Sequence, residues 1–205
     1  MKHSLLRRLF ACMFAAGLAA TLPAQVSLSY LTGAGAGASV TGQSFTPGDA
    51  GTFPTSTAYL TQMQFQTGMD VGGSIYLDVY TGLSAGVFSG YAGSSTNSNV
   101  WVSGATQTWS FDNLALDKAT VYFAVFSTDA TDGNVVNRPT AYATGTYGGG
   151  VLIYNGAVSP GLDAGFSATF TMPAVPEPAT YGAFAGLAAL TLAAVRRLWR
   201  SYARA

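Results

Sequence analysis

Carboxylates and aromatic rings are the chain's main chemical resource. Thr128-Asp129-Ala130-Thr131-Asp132-Gly133-Asn134 sets two carboxylates and an amide in one short stretch. Calcium takes oxygen ligands of this kind from loops, so Asp129, Asp132 and Asn134 form a candidate calcium site. The spacing is not that of an EF-hand, and Asp-Gly-Asn is equally good turn chemistry. Within Ser74–Thr81 (SIYLDVYT), Tyr76 and Tyr80 flank Asp78. Exposed rings beside a carboxylate can stack on sugars while accepting hydroxyl hydrogen bonds. Tyr76, Asp78 and Tyr80 are therefore a candidate glycan face, with Trp101 and Trp109 expected on neighbouring strands. The competing reading is that Tyr and Trp are good strand formers whose cross-strand pairs stabilise a sheet.

Residue supply excludes much else. His3 and Cys12 are the only His and Cys, both in an N-terminal leader, and Glu177 is the only Glu. Ser-His-Asp and Cys-His catalysis are thus ruled out for the remainder, as are zinc sites built on His or Cys. Paired aspartates alone could hydrolyse a glycoside if their carboxyls stood ~5–10 Å apart in a cleft. An Asp-only carbohydrate-active enzyme is therefore the alternative to the expected non-enzyme, with a dedicated glycan-binding module beside it. Between residues 25 and 174 only Lys118 and Arg138 oppose eight aspartates, a net charge of −6. That balance excludes nucleic acid, which needs a basic footprint, and disfavours anionic lipid surfaces. With no disulfide available, the fold must rest on its core, which about 150 residues can supply.

The elements that must position these residues read as all-β. Thr57–Thr67 (TAYLTQMQFQT) alternates, with Gln62, Gln64 and Gln66 on one face and Thr61, Met63 and Phe65 on the other. In Ser74–Thr81, Ile75, Leu77 and Val79 are expected inward, and Tyr76, Asp78 and Tyr80 outward. Such period-two patterns mark strands with one wet face. Thr120–Phe126 (TVYFAVF) is apolar on both faces, as a doubly covered strand would be. Further strands are expected near 26–31, 98–103, 106–111, 140–146, 151–155 and 165–172, with Gly-rich turns at 33–37, 72–73, 82–86 and 148–150. These short strands predict a two-sheet antiparallel sandwich of jelly-roll type, framed by an N-terminal signal helix and a single C-terminal transmembrane helix.

Both ends read as addresses. Lys2, Arg7 and Arg8 precede an apolar run, Leu9–Leu22, and then the small residue Ala24. This is a secretory signal peptide over residues 1–24. Leu9-Phe10-Ala11-Cys12 fits a lipoprotein signal poorly, because the apolar run continues past Cys12. At the other end, Val175-Pro176-Glu177-Pro178 precedes an uncharged stretch, Ala179–Val195, and then Arg196, Arg197, Arg200 and Arg204. Seventeen helical residues span ~26 Å, at the short end of the range for a ~30 Å hydrocarbon core. The arginines would stop transfer at the cytoplasmic side. Gly182 and Gly186 make a Gly-x-x-x-Gly, a possible helix-dimer face.

The triplet Pro176-Glu177-Pro178, the helix and the basic end together resemble the PEP-CTERM sorting tail of Gram-negative envelope proteins. The resemblance implies a 175–205 sorting tail: motif 175–178, transmembrane helix 179–195 and basic end 196–205. It also implies an exosortase-like membrane enzyme as partner, which would cut near the motif and release the 25–174 ectodomain to the cell surface or an exopolysaccharide matrix. Gly42-Gln43-Ser44-Phe45, Val79-Tyr80-Thr81 and Lys118-Ala119-Thr120-Val121-Tyr122 resemble, more loosely, the choice-of-anchor β-sandwich modules that precede varied surface anchors. That likeness implies a sandwich with a structural or adhesive role and carries no catalytic residues.

Overall fold

Alternation of apolar and polar residues, broken by glycine turns, lays the described residues down as fourteen strands and one long helix. The computed structural model describes residues 24–31, 38–69, 72–144, 147–172 and 178–202. The expected leader (1–24) lies outside them but for Ala24. The strands are β1 (Gln25–Tyr30), β2 (Ala38–Phe45), β3 (Thr57–Gln66), β4 (Ser74–Ser84), β5 (Val87–Ser94), β6 (Asn99–Val100) and β7 (Thr106–Asp117). They continue as β8 (Tyr122–Ser127), β9 (Arg138–Thr140), β10 (Tyr142–Thr144), β11 (Leu152–Tyr154), β12 (Ala157–Ser159), β13 (Leu162–Ala164) and β14 (Phe166–Thr171).

Ala24–Met172 is one unit. Its antiparallel strands form one sheet in the order β1-β14-β3-β7 and a larger one whose path is β12-β11-β2-β8-β4-β5. The long strands β1, β2, β3 and β4 alternate between the two sheets, as does the later series β7, β8, β14, with β4 and β5 joined as a hairpin. This is the interleaving of a two-sheet sandwich.

The expected strands are present, with shifted ends. β7 runs on to Asp117, whereas the strand expected over 98–103 is only β6, because Trp101 turns into the core. The 140–146 strand is two short pieces, β9 and β10. β4 passes through Gly82 to Ser84, so the turn expected from 82 is narrower. A register shift between Leu60 and Gln62 places Leu60, Met63 and Phe65 on the inner face, not Thr61.

Between the sheets, Phe65, Trp109, Phe126 and Phe166 are fully buried. Phe65 meets Phe126 at 5.0 Å between ring centroids, Trp109 at 6.0 Å and Phe166 at 6.1 Å. Trp101 and Trp109 are 1 % and 0 % exposed, so neither can contribute to a glycan face. Their indole N–H groups donate to the Pro139 carbonyl (3.0 Å) and the Ile75 carbonyl (2.8 Å). A large apolar residue in strand register finds its lowest free energy between sheets, each worth about 1.5–3 kcal/mol.

The Gly42-Gln43-Ser44-Phe45 segment now has a physical account. It lies in β2, flanked by β8 and β11. A Cβ on Gly42 would stand 2.0 Å from the Ala124 carbonyl oxygen, so only glycine allows that approach. The buried Gln43 donates from Nε2 to Asp163 Oδ1 (3.0 Å) and accepts from the Ala164 N–H (2.9 Å). Asp163 Oδ2 accepts from the Tyr147 N–H (2.9 Å). Ser44 Oγ accepts from the Val151 N–H (2.8 Å), and Phe45 joins the core.

The helix α1 (Pro178–Tyr202) is described by itself. Pro178 opens it, where a missing N–H costs nothing. It continues past the uncharged stretch through Arg196, Arg197 and Arg200, all exposed. Among the described residues no helix is long and apolar enough to cross a membrane, so the transmembrane helix expected over 179–195 is not found among them. The side chains at 178–181, 183, 184, 198, 201 and 202 lie outside the description, as do Val175, Pro176, Glu177 and Arg204.

Asp163→Ala would leave the Tyr147 N–H buried without its acceptor and the Gln43 amide with only the Ser44 carbonyl. We expect a loss of about 2–4 kcal/mol, read as a lower urea midpoint at unchanged slope.

Candidate functional site

The two candidate clusters of the sequence prove to be one. β4 pairs with β5 on one side and β8 on the other, which brings Asp78 opposite Ser94 and Val125. The segment after β8, 128–136, folds back over this sheet. The Val136 N–H donates to the Phe126 carbonyl (2.8 Å), and the Thr128 N–H to the Asn134 carbonyl (3.2 Å). Gly133, at φ 103°, takes the left-handed turn that lets its N–H reach the Tyr80 hydroxyl at 3.2 Å.

Asp78 and Tyr80 are therefore interior, 0 % and 1 % exposed, which corrects the expected wet face. The alternation of β4 is real, but both its faces are covered. Ile75, Leu77 and Val79 enter the main core. Tyr80 joins Val125 and Ile153 in a second cluster, with Phe88, Phe123 and Val135 against it. Its ring lies 5.4 Å from Phe88 and 5.6 Å from Tyr91. Tyr76, opposite Ser127, is half-buried. A sugar has no access to Asp78 or Tyr80 in this conformation.

Ser94 Oγ donates to Asp78 Oδ1, and the Tyr91 hydroxyl lies 2.5 Å from the same Ser94 oxygen. Asp78 Oδ2 is buried with no hydrogen bond among the described residues. Burial pushes the Asp78 carboxyl up to about 6; the Ser94 and Ser127 hydroxyls pull the other way, and Asp129 and Asp132 add like-charge repulsion. Burial likewise raises the Tyr80 phenol, with Asp132 reinforcing the shift.

Asp129 serves its own loop. Its Oδ1 accepts from the Thr131 N–H (3.1 Å) and hydroxyl (2.6 Å), and Oδ2 from the Asn134 amide (2.7 Å). Those donors, Thr131 before Asn134, hold its pKa below the usual carboxylate value. With the Asn134 amide and Thr131 donating inward to Asp129, these residues form a self-capped turn to which Asp132 adds no hydrogen bond. Among the described residues no three His, Cys, Asp or Glu gather in a group that could hold a metal ion.

A second feature lies on the outer face of the four-stranded sheet. Register aligns Ser29, Ser167, Gln64 and Thr108 in one row across all four strands, and Ser27, Thr169, Gln62 and Ser110 in the next. Neither row contains a charge. Ser167 Oγ donates to Gln64 Oε1 (3.0 Å) and Gln64 Nε2 to Thr108 Oγ1 (3.1 Å), while Ser27 and Thr169 hydroxyls lie 3.1 Å apart. The Gln62-Gln64-Gln66 alternation was the sequence signal for this face. Its partners on three other strands carried none.

No protein-family model matches the chain, and no curated protein matches it. Among solved structures, it is similar to the cysteine protease and lectin-like domains of Cwp84, a surface layer associated protein of Clostridium difficile. The identity is 14 % and the TM-score 0.41, over 65 % of this chain and 32 % of that one. The chain thus spans about a third of that structure's length.

The Asp78 shift sets a sign for pH dependence. Below about pH 4 the carboxyl is neutral whether the chain is folded or unfolded, and burial adds no cost. From about pH 4 to about 6 the unfolded chain gives up this proton while the folded one keeps it, so stability falls across that window and levels off above it. Asp78→Asn should raise the melting temperature at pH 8 and leave it unchanged near pH 4. Equal shifts at both pH values would contradict the assignment.

Proposed function

We propose that the chain is an exported envelope or extracellular-matrix protein. Its leader directs secretion, its β-sandwich has a structural or adhesive role beside exopolysaccharide, and its tail tethers it to the inner membrane until an exosortase-like enzyme cuts near Pro176-Glu177-Pro178. The observation that carries this reading is the succession of a stiff motif, an uncharged helical stretch and an arginine cluster in the last thirty residues. Proline fixes φ, withholds a backbone donor and disfavours the helical region for the residue before it, so the residue types of Pro176-Glu177-Pro178 suit a motif that an active site could grip. Leu190, Leu192 and Trp199 of α1 are each more than 60 % exposed, and apolar area of that kind favours lipid over water. The stretch is short and rich in Ala, with two Gly and two Thr, so it would grip a bilayer lightly, as suits a tether meant to be severed.

A glycan-binding module is the second reading, favoured by the uncharged row of hydroxyls and amides on the four-stranded sheet. An Asp-only hydrolase fares worse, because the one carboxyl raised toward neutrality among the described residues, Asp78, is buried beside the 128–136 loop.

Replacing Pro176-Glu177-Pro178 with three alanines should make uncut precursor accumulate in the membrane fraction and deplete the surface pool. Normal processing of that variant would overturn motif-directed cleavage.

A further inference from the structure

We infer that the outer face of the four-stranded sheet (β1, β14, β3, β7) is a binding surface for a neutral, extended polysaccharide. The inference rests on the adhesive reading above and gives it a site, away from the buried Tyr76-Asp78-Tyr80 segment.

Charge makes the first argument. The domain from 25 to 174 carries −6, yet the two aligned rows contain only Ser, Thr and Gln. An anionic polymer would be repelled by the domain and would find no Lys or Arg in the rows to hold it. A protein partner would want an apolar, aromatic centre, which the rows lack. A neutral polyol has no charge to pair, and every hydroxyl both donates and accepts, as do the serines and threonines, while each glutamine amide offers both functions.

Geometry and preorganisation make the second. Strands lie about 4.8 Å apart and alternate residues about 6.8 Å along a strand, so the rows form a regular array roughly 14 Å wide. The Ser167–Gln64–Thr108 chain and the Ser27–Thr169 pair fix several of these side chains before any ligand arrives. Groups already held lose less entropy on binding. Tyr59, between Thr171 and Ala115 in the neighbouring register, adds a half-buried ring at the end of the array. Each hydrogen bond exchanged with water contributes little net, so one domain binds weakly. Many tethered copies along one polymer would bind firmly.

The test uses the full chain in detergent, run by affinity electrophoresis through gels holding dextran, a soluble β-glucan, or alginate as the acidic comparison. Retardation is expected in a neutral gel and not in alginate. Gln64→Ala with Thr169→Ala should weaken it about tenfold or more, whereas Tyr91→Phe on the other sheet should not change it; melting curves verify folding. If the double variant folds and is still retarded, the site lies elsewhere and the inference falls while the adhesive reading stands. Failure of the wild-type chain to bind either neutral polymer would overturn both, leaving the separate cleavage test of the tail untouched. Equal retardation in alginate would remove the charge argument and with it the proposal. Glycan-independent dimers in sedimentation, abolished by the same double variant, would reassign the face to a second copy of the chain.

Discussion

Phe65 stands where the two sheets are joined. It comes from β3 and meets Phe166 of β14 and Trp109 of β7 within its own sheet, and Phe126 of β8 across the interior. Trp109 also spans the sheets with a hydrogen bond, indole N–H to the Ile75 carbonyl of β4. Each buried ring contributes about 1.5–3 kcal/mol by burial, and well-oriented pairs about 0.5–1.5 more. With no cysteine in the domain, nothing covalent shares this task. The aromatic seam also fixes register: sliding any of these strands by one residue would turn its ring outward.

Fixing which residues face inward also fixes the ones that face out, and the two sheets treat these differently. On the four-stranded sheet the outward positions are serines, threonines and glutamines, exposed or half-buried apart from Ser167, which is 7 % exposed. On the larger sheet the loop 128–136 and the β4–β5 hairpin close over Tyr80, Val125 and Ile153, and Asp78 is enclosed with them. A carboxyl so placed is neutral over a wider pH range than one in water, because desolvation penalises its charged form. The same alternation thus gives an open neutral face on one side and a sealed titrating group on the other.

Polar cohesion at one end of the sandwich runs through Gln43, Asp163 and Tyr147. Gln43 satisfies Asp163 and Ala164, Asp163 satisfies the Tyr147 backbone, and the Tyr147 hydroxyl donates to Asp49 at 2.8 Å. A buried network with every member paired rigidifies the chain, where a half-paired one would weaken it. The late segments from Tyr147 to Ala164 have short strands and little periodicity, and this network ties them to β2.

The sequence by itself determined the class of fold and most long strands, because period-two alternation in Thr57–Gln66 and Ser74–Ser84 is a local property that any sheet must respect. It also determined the charge balance, the absence of His and Cys from the domain and the helical tail. It did not reveal β5, whose Gly90 and Gly93 interrupt the apolar period, or the three-residue strands β12 and β13, too short to show one. Periodicity told that Tyr76, Asp78 and Tyr80 share a face, and only the tertiary structure decided that this face is covered. Covering is the act of a loop fifty residues away in the chain, and local pattern holds no record of it. For the same reason the loop of Asp129 and Asp132 acts on Asp78, far back in the sequence, and four separate strands bring hydroxyls and amides into common rows.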